Sequence, residues 1–227
     1  MIKILGIVCS PRVKSNTGIL VREALEKSKS LGAEVELVTL AGKKLEPCNG
    51  CLTCRETKVC HIQDDIQDIY TKLLAADGII FGSPVYFWNV TAQAKILIDR
   101  SYVLLGKFQP LTERRLRNKV AGVVVSTNRD GGTSAMEAFL GFINRHSMTF
   151  VDGITGFGTN EKESVRKDTR ALREAAVLGA NMVSAAIALK SRNDGAAQAC
   201  HSEFAAKGAF PVEYPIVQLP NNINSPL

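Results

Sequence analysis

Four of the six cysteines of this 227-residue chain are crowded into one segment, where Cys48, Cys51, Cys54 and Cys60 have the spacing C-x2-C-x2-C-x5-C. Zinc sites usually separate two C-x2-C pairs by about a dozen residues or more, because tetrahedral closure around one small ion needs two arms. Three thiolates on adjacent turns of one loop suit the separated iron corners of a cubane, and the C-x2-C-x2-C run is typical of ferredoxins. The spacing therefore favours a 4Fe-4S cluster with Cys60 as the fourth ligand, while a zinc site and unmetallated thiols remain open as alternatives.

The other candidate ligands lie next to this segment or outside it. His61 directly follows Cys60 and is a candidate competing ligand, although a surface or supporting position is commoner for such a histidine. Cys9 and Cys200 are interpreted as small buried apolar residues. The N-terminal sequence passes from a short apolar run into Ser10 and Pro11 without a long apolar leader, so we expect a cytoplasmic location and no disulfide framework.

A hydroxyl-rich loop follows the first apolar run of the chain. In this loop, hydroxyl groups and two cations lie next to the free N–H groups at the start of a helix. Together these groups favour a bound phosphate. The glycines of the Walker A and GxGxxG motifs are absent, and a hydroxyl-rich loop is the flavodoxin-type way of holding the phosphate of FMN. The predicted contacts are Ser10, Arg12, Ser15, Asn16 and Thr17. The alternative is an ordinary helix cap by Ser15 or Asn16.

Two further loops follow apolar runs and carry residues suited to a flavin ring. The first holds three successive aromatic residues, which favour a flat aromatic ligand, although the rings are also suited to a core or a subunit interface. Its predicted contacts are Pro84, Val85, Tyr86, Phe87, Trp88 and Asn89. In the second loop, paired glycines let the backbone approach the polar edge of an isoalloxazine, with a plain Gly-Gly turn as the alternative. Its predicted contacts are Ser126, Thr127, Asn128, Gly131 and Gly132.

Alternating strands and helices must position these loops. Short apolar runs rich in β-branched residues predict strands over Lys3–Val8, Glu34–Leu40, Gly78–Ser83, Lys119–Ser126 and Phe150–Phe157. A period near 3.6 predicts helices over Thr17–Leu31, Asp64–Ala76, Thr91–Leu105, Ser134–Arg145 and Ser164–Lys190. This alternation predicts a doubly wound α/β fold with a five-stranded parallel sheet of flavodoxin-like order 2-1-3-4-5. In such a sheet ligands bind beyond the carboxyl ends of the strands, where the three loops meet.

Composition bounds the remaining possibilities. Apolar residues make up 45% and charged residues 22% of the chain, which excludes disordered and fibrous classes. The net charge of +6 is spread along the sequence, and there is no uninterrupted apolar run of membrane-spanning length, so we expect neither a nucleic acid nor a membrane partner. We predict a domain over residues 1–190 that includes the cysteine loop 47–61, and an extended C-terminal arm over residues 191–227. That arm is rich in proline, with Pro211, Pro215, Pro220 and Pro226.

Over about residues 1–190 the chain resembles the iron-sulfur flavoproteins, a branch of the NADPH-dependent FMN reductase group. The resemblance rests on short motifs spread over the chain: Gly6-Ile7, Ser10-Pro11-Arg12, Asn16, Pro47 with the four cysteines, Asp64-Asp65, Ala76 to Ile80, Ser83 to Tyr86, Lys95, Asp99-Arg100, Ser126, Arg129 and Gly131-Gly132. It implies FMN, one 4Fe-4S cluster, and a homodimer or homotetramer in which cluster and flavin face each other across a subunit boundary.

The function implied by this resemblance is electron transfer between FMN, which takes electron pairs, and a cluster that takes single electrons. No dedicated acid, base or nucleophile is needed, and the partner is a ferredoxin-like protein or a small-molecule electron acceptor. One alternative is an NAD(P)H-dependent FMN or quinone reductase with structural cysteines. Another is a non-enzymatic zinc or redox-sensing module.

Overall fold

A computed structural model describes residues 1–105 and 114–206, with side chains described as far as residue 192. The strands are β1 (Lys3–Val8), β2 (Glu34–Thr39), β3 (Gly78–Pro84), β4 (Val120–Thr127) and β5 (Thr149–Phe157). The helices are α1 (Asn16–Ser30), α2 (Cys54–Thr57), α3 (Ile66–Ala75), α4 (Ala92–Arg100), α5 (Gly132–Arg145) and α6 (Thr169–Ala206). Two 3₁₀ turns occupy Ser101–Leu104 and Ser164–Lys167.

The five strands form one parallel sheet of order β2-β1-β3-β4-β5, which confirms the predicted flavodoxin-like topology. All eight residues of β4 are buried, because helices cover both faces of the sheet. On one face α1 and α6 form a core with the sheet through residues such as Val21 and Leu178. On the other face α3, α4 and α5 pack through residues such as Ile69, Leu97 and Phe139. The carboxyl ends of β1, β3, β4 and β5 therefore meet at one edge.

The helices differ from the predictions by more than two residues at three places. The helix predicted over Thr91–Leu105 ends at Arg100 and continues as a 3₁₀ turn. The short helix α2 inside the cysteine segment was not predicted. The last helix begins after a 3₁₀ turn and runs to Ala206, so the start of the predicted extended arm is helical instead. The alanine-rich sequence after residue 195 explains this, since alanine has the highest helix propensity.

Contacts divide the chain into a unit Met1–Ser191 and a unit Arg192–Leu227. The proline-rich part of the predicted arm, from residue 207, lies outside the described residues. Within the described part of the chain, one stretch, Thr169–Arg192 in α6, is long and apolar enough to cross a membrane. The same helix packs against the sheet through Leu178 and Met182, both fully buried against β4. Core helices of this kind meet the same criterion of length and composition.

Candidate functional site

A pocket opens at the carboxyl edge of the sheet, where the loops after β1, β3 and β4 were predicted to bind a flavin. Of the predicted contacts, eleven line it: Ser10, Arg12, Ser15, Asn16, Thr17, Pro84, Val85, Tyr86, Ser126, Thr127 and Asn128. The structure thus brings together residues from three separate loops, as the order of the strands requires.

The hydroxyls of the loop after β1 have defined partners. Ser15 caps α1, where its Oγ accepts a hydrogen bond from the Gly18 backbone N–H at 3.0 Å. The cap considered as the alternative for Ser15 is therefore present, and Ser15 lines the pocket as well. Thr17 and Ser126 share a buried hydrogen bond between their hydroxyl oxygens at 2.6 Å, which joins the start of α1 to the end of β4. This bond fixes two walls of the pocket relative to each other.

A fourth loop, after β5, also lines the pocket and was not predicted. Asn16 holds it: its Nδ2 donates to the Thr159 carbonyl at 3.2 Å and to Ser164 Oγ at 3.1 Å, and its Oδ1 accepts from the Val165 backbone N–H at 3.3 Å. Five residues of this loop line the pocket: Gly158, Thr159, Asn160, Glu161 and Lys162. Lys14, from the loop after β1, also lines it. The side chain of Asn16 therefore serves to position this loop. The sequence signal was weak, because the loop has no hydroxyl cluster or paired glycines directly after the strand.

Five predicted flavin contacts do not line the pocket: Phe87, Trp88, Asn89, Gly131 and Gly132. Phe87 and Trp88 form the tip of a tight hairpin closed by backbone hydrogen bonds between Tyr86 and Asn89. Both have positive φ, 50° and 61°, and their side chains are 94% and 62% exposed. A left-handed conformation is uncommon for aromatic residues, and this turn leaves both rings exposed to solvent.

The glycine pair is explained by packing. Gly131 has a φ of 83° and starts α5, and a Cβ at this position would lie 2.9 Å from the Cα of Trp88. Gly132 lies against Thr155, where a Cβ would be 3.1 Å from the side-chain methyl. Both glycines therefore let the α5 start approach its neighbours, in agreement with the alternative of a structural turn.

The four cysteines of the spaced segment line a second cavity of about 230 Å³. Cys48 and Cys51 are exposed, and Cys54 and Cys60 are partly buried. Burial raises the pKa of the Cys54 thiol, and the neighbouring charges of Cys60, Cys51 and Cys48 raise it further. Within residues 1–105 and 114–192, no group of three or more His, Cys, Asp or Glu side chains is arranged around a metal position. The cysteines thus share a cavity without forming a completed metal site.

His61 and Thr53 contact the exposed side of this cavity. The Nδ1 atom of His61 lies 3.2 Å from the Sγ of Cys51, and its Nε2 atom lies 3.4 Å from the Nδ2 of Asn49. Side-chain and backbone hydrogen bonds from Thr53 lower the pKa of Cys51. His61 therefore contacts one of the four cysteines, and both of its interpretations are compatible with this position.

A buried ion pair holds both ends of the cysteine segment. Arg100 and Asp64 make a two-fold contact, Nη1 to Oδ2 at 2.8 Å and Nη2 to Oδ1 at 3.1 Å, and neither side chain is exposed to solvent. Nη1 also donates to the Glu46 carbonyl at 2.8 Å, and Nη2 donates to the Ile62 carbonyl at 3.0 Å. Glu46 and Ile62 flank the segment that carries the four cysteines, so this pair closes it into a loop.

The protonation states of the pair agree with this role. Burial favours the neutral form of Asp64, but hydrogen bonds from Arg100 and from the backbone N–H groups of Glu46 and Ile66 outweigh it and hold its pKa below the ordinary value. Burial likewise opposes the charge of Arg100, and the hydrogen bond to Asp64 more than compensates, so its pKa is raised. The Tyr70 hydroxyl donates to the Arg100 carbonyl at 2.7 Å and fixes the end of α4. Neither Arg100 nor Asp64 carries a local sequence signal for this role, because their contact depends on tertiary structure.

The fold and the pocket at the carboxyl edge are those of a flavodoxin-like, flavin-dependent oxidoreductase. The family model described as NADPH-dependent FMN reductase matches residues 2–162. An iron-sulfur flavoprotein of Methanocaldococcus jannaschii is 47% identical over 151 residues, which are 66% of this chain and 75% of that protein. An iron-sulfur flavoprotein of Methanosarcina thermophila is 37% identical over 169 residues, which are 74% of this chain and 86% of that protein.

Solved structures support the same fold. The structure of RosB with bound 8-demethyl-8-formylriboflavin-5'-phosphate has a TM-score of 0.69 at 19% identity and covers 100% of this chain and 98% of its own. An NAD(P)H:quinone oxidoreductase from Methanothermobacter marburgensis has a TM-score of 0.64 at 16% identity, covering 80% of this chain and 96% of its own. The chain belongs to the NADPH-dependent FMN reductase family, and within it to the iron-sulfur flavoproteins. Its function is FMN-linked electron transfer.

Proposed function

We propose that this protein holds FMN at the carboxyl edge of the sheet and a 4Fe-4S cluster in the cysteine cavity, and passes electrons between the two groups. The observation that carries the proposal is the cavity that Cys48, Cys51, Cys54 and Cys60 share. The relatives that are named iron-sulfur flavoproteins support it.

The pocket at the sheet edge fits an FMN phosphate by its chemistry. Arg12 and Lys14 are exposed cations at its rim, and Ser10 and Ser15 contribute hydroxyls from the loop after β1. A phosphate bound there is stabilised by these charges and by the start of α1, whose N-terminus favours an anion. Tyr86 and Val85 give the same pocket an aromatic and an apolar surface for the flavin ring.

The cysteine cavity fits a cluster by its donor set and its surroundings. Thiolates are the usual ligands of iron-sulfur clusters, and a cluster bound by four of them accepts and donates single electrons. In this chain the segment is fixed at both ends by Arg100 and Asp64, and the guanidinium balances part of the negative charge that four thiolates bring. The chain's residues therefore hold the ligands close together and stabilise their charge.

Two consequences of this assignment concern the setting of the protein. An electron-transfer protein needs a redox partner, and we infer a ferredoxin-like protein or a small-molecule acceptor. The five cysteines with described side chains are free, which suits a reducing, cytoplasmic location. A homo-oligomer in which one protomer's flavin lies near its partner's cluster is also part of the proposal.

Iron, sulfide and flavin analysis of protein purified without air tests the proposal. We expect about four iron and four sulfide per chain together with one FMN, as a 4Fe-4S cluster requires. Cys60→Ala is expected to lose iron and sulfide and to keep FMN. Cys9 is a buried cysteine outside the cavity, so Cys9→Ala is expected to keep iron, sulfide and FMN.

Two results would contradict the proposal. Protein that contains one zinc and no sulfide would assign the cysteines to a zinc site. Full flavin content with no metal, combined with rapid flavin bleaching by NADH or NADPH alone, would assign the protein to the quinone reductases with structural cysteines.

A further inference from the structure

Three residues on the exposed side of the cysteine cavity form a closed ring of hydrogen bonds. The Oδ1 atom of Asn49 accepts from the Cys51 backbone N–H at 3.3 Å, and the Nδ2 atom of Asn49 lies 3.4 Å from the Nε2 of His61. The Nδ1 atom of His61 lies 3.2 Å from the Sγ of Cys51 and completes the ring. All three residues line the cavity. An imidazole nitrogen is therefore within hydrogen-bond distance of one of the four thiols.

This ring determines which nitrogen of His61 carries the hydrogen. In an asparagine side chain Oδ1 only accepts hydrogen bonds and Nδ2 only donates them. Because Oδ1 faces the backbone N–H of Cys51, the orientation of the Asn49 amide is set, and its Nδ2 faces the imidazole. The Nε2 atom of His61 must then accept, so the neutral ring carries its hydrogen on Nδ1. That hydrogen is directed at the sulfur of Cys51.

The same arrangement distinguishes a hydrogen-bond donor from a metal ligand. A histidine binds a metal through the lone pair of an unprotonated ring nitrogen. In His61 the lone pair of Nε2 accepts from Asn49, and Nδ1 carries the hydrogen that faces Cys51. His61 is therefore placed to support a cysteine ligand and not to replace one.

We propose that the Nδ1–H of His61 donates a hydrogen bond to the Cys51 sulfur while that sulfur binds the 4Fe-4S cluster, and thereby raises the cluster's reduction potential. This inference rests on the function proposed above. The reduced form carries one more negative charge, and a hydrogen bond to a ligand sulfur stabilises that charge. Asn49 acts through His61, because it holds the tautomer that donates to the sulfur. Both are positioning residues, and neither is a ligand.

Three variants of the anaerobically purified holoprotein test the proposal by redox titration followed by EPR. His61→Phe keeps a ring but has no N–H, and we expect its cluster reduction to be about fivefold less favourable. This is a shift of about 40 mV to more negative potential, at about 59 mV per tenfold change for one electron. His61→Asn supplies an amide N–H in place of the ring N–H and is expected to restore most of the wild-type potential. Asn49→Ser keeps an acceptor for the Cys51 N–H but is too short to reach His61, so a smaller shift in the same direction is expected.

Gln63→Leu is the matched control. The Gln63 side chain donates to the Cys60 carbonyl at 3.0 Å, so this change removes a neutral donor that bonds to the backbone and not to a sulfur. Its potential is expected to equal that of the wild type, and the FMN content of all four variants is expected to be unchanged. A shift in Gln63→Leu as large as that in His61→Phe would assign the effect to distortion of the segment and overturn the proposal.

Pulsed EPR of the reduced wild-type protein labelled with ¹⁵N-histidine gives a direct readout that does not depend on the stability of the variants. A weak nitrogen coupling to the cluster is expected, and it is expected to disappear in His61→Phe. If His61→Phe loses its iron, the wild-type coupling decides: a weak coupling supports the hydrogen bond and its absence overturns it. A strong coupling, as from a directly bound nitrogen, would make His61 a ligand and also overturn the proposal.

An iron-loaded His61→Phe with an unchanged potential would overturn the proposal as well. Wild-type protein without iron and sulfide would instead refute the proposed function itself.

Discussion

The pocket at the sheet edge, where we propose that FMN binds, and the cysteine cavity are built in opposite ways. The pocket collects residues from four loops that the parallel sheet brings to one edge, and several of its side chains bond to one another across those loops. The cavity takes its cysteines from one local segment, and two buried side chains from elsewhere, Arg100 and Asp64, hold that segment. A site distributed over a sheet is redundant, so losing one contact weakens it. A local site that depends on one ion pair is lost as a unit.

The largest effect is therefore expected from Asp64→Ala. This substitution leaves the Arg100 guanidinium buried without its counter-ion, which is expected to lower the free energy of unfolding by about 3–5 kcal/mol. Iron should be lost from the folded fraction, while FMN is retained. Chemical denaturation together with iron and flavin analysis measures both effects. Glu174→Ala is the control, because its ion pair with Arg170 is exposed, lies outside the cysteine cavity and is expected to contribute less than about 1 kcal/mol. An unfolding midpoint for Asp64→Ala equal to that of the wild type would contradict the comparison.

Acid is expected to act on the elements beside the cysteine cavity. His146 is buried at the end of α5, and its Nε2 lies 2.9 Å from the hydroxyl of Ser101, the residue after Arg100. Burial, with the charges of Arg114 and Arg145, lowers the pKa of His146 from 6.5 to about 4. Between these values the unfolded chain binds a proton that the folded chain does not. The contribution of neutral His146 to the free energy of unfolding is therefore fully present above pH 6.5. It is lost as the pH falls towards 4, which lowers the free energy of unfolding by up to about 3 kcal/mol.

Urea denaturation at a series of pH values measures this dependence. His146→Gln should flatten the curve between pH 6.5 and 4, whatever its absolute stability. Asp64 and Asp168 have pKa values lowered from 3.8, so their contribution is lost only below this window. A wild-type curve that is flat from pH 6.5 to 4 would show that His146 binds a proton as readily in the folded chain as in the unfolded chain.

An intermediate effect is expected at the hydroxyl pair of the flavin pocket. Thr17→Val leaves the Ser126 hydroxyl buried without its partner, which should cost about 1–3 kcal/mol of stability. Adding Ser126→Ala removes the stranded hydroxyl, so the double variant is expected to be more stable than the sum of the single changes predicts. A double-mutant cycle by chemical denaturation checks this. Strict additivity would mean that the two hydroxyls do not depend on each other.

The smallest effect is expected at the aromatic hairpin. Phe87 is 94% exposed with a φ of 50°, so Phe87→Gly removes little packing and relieves a left-handed conformation. Its stability is expected to stay within about 0.5 kcal/mol of the wild type and its FMN affinity unchanged. Tyr86→Ala is the matched comparison, because Tyr86 lines the pocket, and it should weaken FMN binding by about 1 kcal/mol. Fluorescence titration of apoprotein with FMN separates the two. Equal losses would place Phe87 against the flavin after all.

The sequence was sufficient for the sheet, and it predicted eleven of the residues that line the pocket at the sheet edge. Strands such as β1 and β4 are continuous apolar runs, and such runs indicate a parallel sheet whose order places the loops after β1, β3 and β4 at one edge. The cysteine spacing likewise predicted that the four cysteines lie together, and they line one cavity. These signals are local, because each depends on residues that are close in the sequence.

The features that were missed depend on contacts between distant residues. Arg100 and Asp64 are 36 positions apart, and nothing in either local sequence shows that they meet. The loop after β5 joins the pocket through Asn16, which is more than 140 positions away from it. Phe87 and Trp88 are predicted to contact a flavin and do not line the pocket; the left-handed turn on which they lie is a backbone property that aromatic residues do not signal.

The tie between Asn16 and the loop after β5 has a consequence for how a nucleotide is exchanged. Because the two loops are joined within the folded chain, their backbone entropy is lost during folding and not when a ligand arrives. Association then carries a smaller ordering penalty. The binding pocket therefore keeps its shape when a nucleotide dissociates, so the apoprotein should rebind FMN without a slow refolding step.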